Sequence, residues 1–359
     1  MLYRLADLLS PYWGPFRLFA SHALLLAAGT FLAAFASALL LPRLWGRLPR
    51  DRGKALCSDL GGMKSAGKPT GAGLWVTLVV LPVILLFAPL GVWDLATLVA
   101  LYAAMVFGYL DDRAVRPWGE LKKGLWDAVV SLAIAYFVAR GHSTLVWMPF
   151  VKGMWTVPMW LYLPVAAFIL WFTMNATNCS DGVDGLAGTL TEIALVILAG
   201  VLYVVIGYKP VAHYFLLPCN PECANWAILV MCVAGGFAGY LWFNAEPSKI
   251  LMGDAGSRFL GILVATGSLV TGNPLLVLAF APIVLVNGGG GLGKLVLLRL
   301  AKRCGFAIGE DSVIRRVRFP LHDHFKKNLG WSNAQVLMRF TLLQLLVMPL
   351  LLVLLIKIR

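Results

Sequence analysis

The chain has 359 residues, of which 60% are hydrophobic and 13% charged, with a mean hydropathy of +0.82. A soluble domain carries about 25% charged residues, so this composition excludes a disordered chain and argues against a soluble globular enzyme. The net charge of +13 is compatible with nucleic acid, anionic lipid or a phosphorylated substrate. In a chain this apolar it points first to the charge asymmetry of membrane-flanking loops.

Residues 1–20 lack the short apolar core of a cleavable signal, and the first expected span follows them. A helix crossing about 30 Å of hydrocarbon needs about 20 apolar residues. Uncharged stretches at 21–41, 71–91 and 95–110 predict three spans. Residues 124–139 carry only Asp127, 153–174 carry no charge, 185–207 carry only Glu192, and 224–243 carry none. The uncharged run 259–293 is too long for one span and is divided by the Thr271-Gly272-Asn273-Pro274 turn signal. A last span is expected at 340–356. The pattern predicts an all-α polytopic membrane protein of about ten transmembrane helices, with 1–359 as a single integral-membrane domain. No repeat or low-complexity segment is evident, and the 42–70 and 299–334 loops are too short for separate domains.

Ten spans divide the remaining chain into two alternating sets of segments. One set of five loops holds 20 of the 30 Lys and Arg residues. The positive-inside rule places those loops in the cytoplasm and both termini on the periplasmic or extracellular side. The same loops hold 12 of the 17 acidic residues. A carrier places ionisable groups near the midplane. Here the polar chemistry gathers at one face, which suits a reaction between a soluble substrate and a lipid head group, on a site formed by cytoplasmic loops.

Asp111 and Asp112 fall at the expected cytoplasmic end of the third helix. Mutual repulsion and the negative end of the helix dipole disfavour each, the latter by about 0.3–1 kcal/mol. A bound divalent cation removes both penalties; a solvated loop pair is the plain alternative. Hard oxygen ligands with no neighbouring Cys or His favour Mg2+ over zinc. Next, Asn175, Asn178, Asp181 and Asp184 place an amide or carboxylate at every third residue before a helix, with Gly182 and Gly185 interleaved. Glycines let backbone amides approach a ligand, and a helix N-terminus favours phosphate; an N-cap turn uses the same residue types. Asn244 to Ser257 repeats the arrangement, with Asp254 as either a helix cap or a metal ligand beside a phosphate. Finally, His322, Asp323 and His324 precede Lys326 and Lys327, a pattern that fits anion binding or proton transfer.

Other motifs carry less. Gly288 to Lys294 matches the first seven positions of a Walker A loop, but Leu295 stands where Ser or Thr is needed. Close helix packing by small residues is the expected role. Cys219 and Cys223, in an outer loop, form either a local disulfide or two free thiols. Cys57, Cys179, Cys232 and Cys304 read as free thiols, and His22, His142 and His213 as surface or interface residues. Trp13, Trp75, Trp93, Trp118, Trp126, Trp147 and Trp226 lie near span ends, as an interfacial aromatic belt predicts.

Together the clusters resemble the polyprenyl-phosphate N-acetylhexosamine-1-phosphate transferase superfamily, and within it the bacterial phospho-N-acetylmuramoyl-pentapeptide transferases. The carrying segments are Lys68 to Gly73, Asp111-Asp112, Asn175 to Leu186, Asn244 to Ser257, and Pro320 to Trp331. The last, PLHDHFKKNLGW, is the most specific. The resemblance implies that UDP-MurNAc-pentapeptide and undecaprenyl phosphate react to give lipid I and UMP, with Mg2+ required. It implies a homodimer in the bacterial cytoplasmic membrane that serves peptidoglycan synthesis and binds no nucleic acid. By the same resemblance Asp254 is the principal Mg2+ ligand, with Asp181 and Asp111 as further candidates. Asp111 or Asp112 would orient or deprotonate the lipid phosphate, and His322 and His324 would contact the sugar-phosphate. Lys68, Thr70, Asn175, Asn178, Asp184, Asn244, Lys122 and Lys123 are the expected substrate-binding positions. A covalent aspartyl intermediate is the alternative scheme. A GlcNAc-1-phosphate transferase is the alternative activity, and a lipid or nucleotide-sugar transporter the alternative class. Three positions depart from the family pattern: Val115 replaces a Lys, Leu251 an aromatic, and Asp323 a central His.

Overall fold

The computed structural model describes residues 2–51, 65–114, 118–149, 153–305, 312 and 316–357. Cys57 and Val115 lie outside the described residues. After a short amphipathic helix, α1 (Leu2–Leu9), come α2 (His22–Leu44), α3 (Ala72–Phe87), α4 (Val92–Arg113) and α5 (Glu120–His142). A two-stranded antiparallel hairpin follows, β1 (Leu145–Trp147) with β2 (Met154–Thr156), in which Val146 faces Trp155. The chain continues through α6 (Met159–Ser180), α7 (Leu186–Gly200, extended by a π-helical turn over Val201–Ile206), α8 (Lys209–Tyr214), α9 (Cys223–Asn244) and α10 (Gly253–Val270). It ends with α11 (Leu276–Phe280), α12 (Pro282–Val284), α13 (Gly290–Arg303), α14 (Leu321–Leu329) and α15 (Asn333–Lys357).

Eight helical segments among the described residues are long and apolar enough to cross a membrane. Their uncharged stretches leave no competitor for backbone groups except the intrahelical ladder, the arrangement hydrocarbon enforces. Two further expected spans form helices of other kinds. Helix α3 is apolar but has 16 residues. Helix α10 starts on charged residues and then runs buried from Ala255 to Val270, at the centre of the bundle.

Four expectations need correction. The fifth span begins at Met159 rather than 153, because Met154–Thr156 pairs as β2 and the fold is not purely helical. The turn at 271–274 does divide α10 from α11, but the helix after it is broken again at Ala281-Pro282 and by a π turn over Leu285–Gly289. Proline removes an amide and cannot continue the ladder. Third, His142 is no surface residue: its Nε2 lies 2.9 Å from Asp94 Oδ1, and its side chain is buried. Fourth, Trp147 and Trp226 are fully buried rather than interfacial. Trp226 Nε1 donates to Asp94 Oδ1 over 2.8 Å, so one carboxylate ties the ends of α4, α5 and α9. Cys219 and Cys223 are free thiols, and Cys223 Sγ donates to the Val270 carbonyl. The Gly288 run packs helices as expected, since a Cβ at Gly288 would collide with the Ala176 carbonyl.

Candidate active site

The adjacent carboxylates at the end of α4 point to different elements. Asp112 Oδ1 accepts from the Asp254 amide at 3.1 Å, and its Oδ2 from the Ala255 amide at 3.2 Å. It thus caps α10 from another helix, and the positive end of α10 offsets the negative end of α4. Asp254 is not the cap; it stands in the first turn with its side chain 28% exposed. The two backbones meet through glycine: a Cβ at Gly108 would lie 2.6 Å from the Asp254 carbonyl oxygen. Gly253, at φ +71°, makes the turn into α10, and any Cβ there would strike Asp112 Oδ2.

Asp111 turns to α5. Its Oδ2 lies 2.6 Å from Lys123 Nζ, and its Oδ1 accepts from the Trp118 amide at 2.7 Å. Lys123 Nζ is also 3.8 Å from Asp254 Oδ2, so one ammonium joins the two carboxylates. Behind it, Arg258 Nε lies 3.6 Å from Asp254 Oδ2, while Arg258 Nη1 donates to Asp127 Oδ1. Asn175 Nδ2 donates to Asp127 Oδ2 over 3.3 Å. Asp127 and Arg258 were not among the expected site residues. The signals were an isolated charge in 124–139 and an arginine four residues after Asp254, on the same helical face.

A second cluster adjoins the first. Lys68 Nζ donates to Ser248 Oγ at 2.8 Å and lies 3.4 Å from Asp184 Oδ2, which also accepts from the Ser248 amide. Asn244 Oδ1 accepts from the Gly185 amide, and its Nδ2 donates to the Ile250 carbonyl. Asn178 Nδ2 reaches Ser257 Oγ at 3.1 Å, linking this cluster to α10. The amide of Leu251 donates to Pro69 O and that of Ala72 to Leu251 O, so the Lys68–Gly73 loop runs against the entry to α10. Thr70 sits in that loop, its amide bound to the Pro49 carbonyl.

The remaining expected residues contribute differently. His322 is buried, with its amide and ring held by Asn287. It packs against Gly182, where a Cβ would collide with the imidazole. His324 Nδ1 accepts from the Arg318 amide and belongs to neither cluster. Lys122 Nζ stands 3.7 Å over the Trp118 ring. Asp181 caps the C-terminus of α6.

Among the described residues no three His, Cys, Asp or Glu side chains gather to hold a metal, so Asp181 does not complete such a set with Asp111 and Asp254. The donor chemistry still fits Mg2+, which is held through one or two carboxylates with water and substrate phosphate rather than by an all-protein cage. Asp111 and Asp254 supply two carboxylates that already converge on a cation.

Residues 95–272 match the family model described as glycosyl transferase family 4. The chain is similar to the phospho-N-acetylmuramoyl-pentapeptide-transferase of Treponema pallidum (strain Nichols), 42% identical over 339 residues that cover 93% of this chain and 90% of the relative. Enzymes of the same name in Nitratidesulfovibrio vulgaris (strain DP4) and Borrelia hermsii (strain HS1 / DAH) are 30% and 28% identical, over 77% and 78% of this chain and 77% and 79% of theirs. At 42% identity over nearly its whole length, the chain belongs to the phospho-N-acetylmuramoyl-pentapeptide-transferase family.

Proposed function

We propose that this protein transfers phospho-MurNAc-pentapeptide from UDP-MurNAc-pentapeptide to undecaprenyl phosphate, giving lipid I and UMP. An oxygen of the lipid phosphate bonds to the sugar-linked phosphorus of the donor, and the bond from that phosphorus to UMP breaks. Both reactants are anionic, so positive charge must lower the barrier to their approach. The observation that carries the reading is the convergence of Asp111 and Asp254 on Lys123 at one end of the bundle.

Asp254 and Asp111 would hold Mg2+, which when bound neutralises charge on the two phosphates. Lys123 and Lys68 add cationic charge on either side of α10. Asp112 has both oxygens committed to backbone amides, so its part is to fix Asp254 rather than to take a proton. A phosphate monoester with a second pKa near 6 is largely dianionic at neutral pH, and direct attack needs little help from a base. Asp111 also has both oxygens engaged, which favours direct attack over an aspartyl intermediate. His322, locked by Asn287, supports the Asp181–Gly185 loop from beneath.

In this reading the five charged loops are cytoplasmic, both termini face outward, and α3 and α10 complete ten spans. The chain works as a homodimer. The test is Mg2+-dependent release of UMP from UDP-MurNAc-pentapeptide with undecaprenyl phosphate in detergent, with Asp254→Asn as control. Release lost in the variant supports the reading. Release from UDP-GlcNAc alone would replace it with the related transferase, and silence with both donors would return attention to transport.

A further inference from the structure

Two cations flank Asp254, and the protein holds them very differently. Arg258 is 6% exposed and pinned at its far end by Asp127, whose second oxygen is taken by Asn175. Its Nε faces Asp254 from inside the bundle and has nowhere to go. Lys123 is 21% exposed, on a flexible stem in the first turn of α5, and it is shared between Asp111 and Asp254. Asp111, Asp112, Asp127 and Asp254 bring four formal negative charges, against which Lys123 and Arg258 set two positive ones. The balance leaves room for a divalent cation.

We propose that Lys123 is an exchangeable counter-ion: it occupies the space between Asp111 and Asp254 in the ligand-free protein and is displaced when a divalent cation enters, whereas Arg258 is a fixed one. This rests on the metal-assisted reading above. A compact ammonium on four methylenes can swing without disturbing the backbone, and Asp111 keeps its second oxygen anchored by the Trp118 amide during the exchange. Once displaced, the ammonium is free to meet the phosphates of a substrate. Each turnover would then start from a site kept ordered by its own side chain, with Asp111 and Asp254 both held by one ammonium.

Removing this cation, which activity needs, must then tighten metal binding. Full-length protein, purified in detergent without substrates, is titrated with Mn2+ and free Mn2+ is read by electron paramagnetic resonance. Lys123→Met and Lys123→Gln are expected to bind Mn2+ about tenfold more tightly than wild type, equivalent to about 1.4 kcal/mol. Lys123→Arg, which keeps the charge, is expected to bind no more tightly than wild type. Mn2+ should also raise the melting temperature of the neutral variants more than that of wild type, while their turnover falls at least a hundredfold. Equal or weaker Mn2+ binding by both neutral variants, with wild-type elution profiles, overturns the exchange. Turnover of UDP-MurNAc-pentapeptide by the same wild-type preparation separates the two ideas, since its presence keeps the reaction while the exchange fails.

Discussion

The carboxylate of Asp112 accepts the amides of Asp254 and Ala255, so the last turn of one helix fixes the first turn of another 142 residues on. That bond pair explains why two adjacent acidic residues do not repel each other into solvent. One serves a helix N-terminus and the other an ammonium.

Removing the cap separates its two effects. Asp112→Ala leaves two amides without an acceptor, which costs about 0.5–2 kcal/mol on the scale of lost helix caps. Asp112→Asn keeps one acceptor oxygen and should cost less. Both should depress UMP release by more than tenfold, because Asp254 loses its fixed position. Melting temperature and turnover, measured side by side, check the ordering; full activity in Asp112→Ala would show that the cap does not place Asp254.

The Asp127–Arg258 pair should behave as a unit. Arg258→Leu leaves Asp127 buried and unneutralised, and breaking a buried pair from one side costs roughly 3–5 kcal/mol. Replacing both members with leucine removes the stranded charge and is expected to recover most of that stability, as apolar substitutes for buried pairs generally do. Thermal unfolding of the two single variants and the double variant gives the coupling directly. Additive losses would mean the pair contributes no mutual stabilisation.

Much of this site was legible from residue order alone. The segments carrying Asp111, Asn175 to Asp184, Asn244 to Asp254 and His322 were recognisable because their charged and amide residues stand out against uncharged spans. The partnerships were not legible. Hydropathy shows that 92–113 and 253–270 are helices, but it cannot show that Asp112 caps the second. Asp127 and Arg258 read as isolated charges at span edges, since their pairing depends on how α5 packs beside α10. The π turn at Leu285–Gly289 was hidden for the same reason: the segment carries no charge or proline to mark it, and its glycines pack against Ala176 and Phe172 of α6. The β1–β2 hairpin escaped because three-residue strands leave too little periodicity.

The membrane orientation has an independent test. Cysteine placed at Leu2 or Lys357 should react with an impermeant maleimide added to intact cells, whereas one at Lys326 should react only after lysis. Protection of both terminal positions would reverse the topology and move Asp254 to the outer face.

Lys68 offers the clearest division between binding and chemistry. Its ammonium lies between Ser248 Oγ and Asp184 Oδ2, joining the loop before α3 to the loop before α7. None of these contacts reaches Asp111 or Asp254, and in the proposed reading the lysine serves the part of the site that receives the soluble donor. Lys68→Met should therefore raise the KM for UDP-MurNAc-pentapeptide about tenfold and lower kcat much less, the signature of lost uniform binding. Its partly buried ion pair is long, at 3.4 Å, and adds about 1 kcal/mol at most, so the melting temperature should change little. Steady-state kinetics at saturating undecaprenyl phosphate decide the matter. A fall in kcat with KM unchanged would instead place Lys68 against the reacting phosphates, and the donor would then have to extend across α10 toward Lys123.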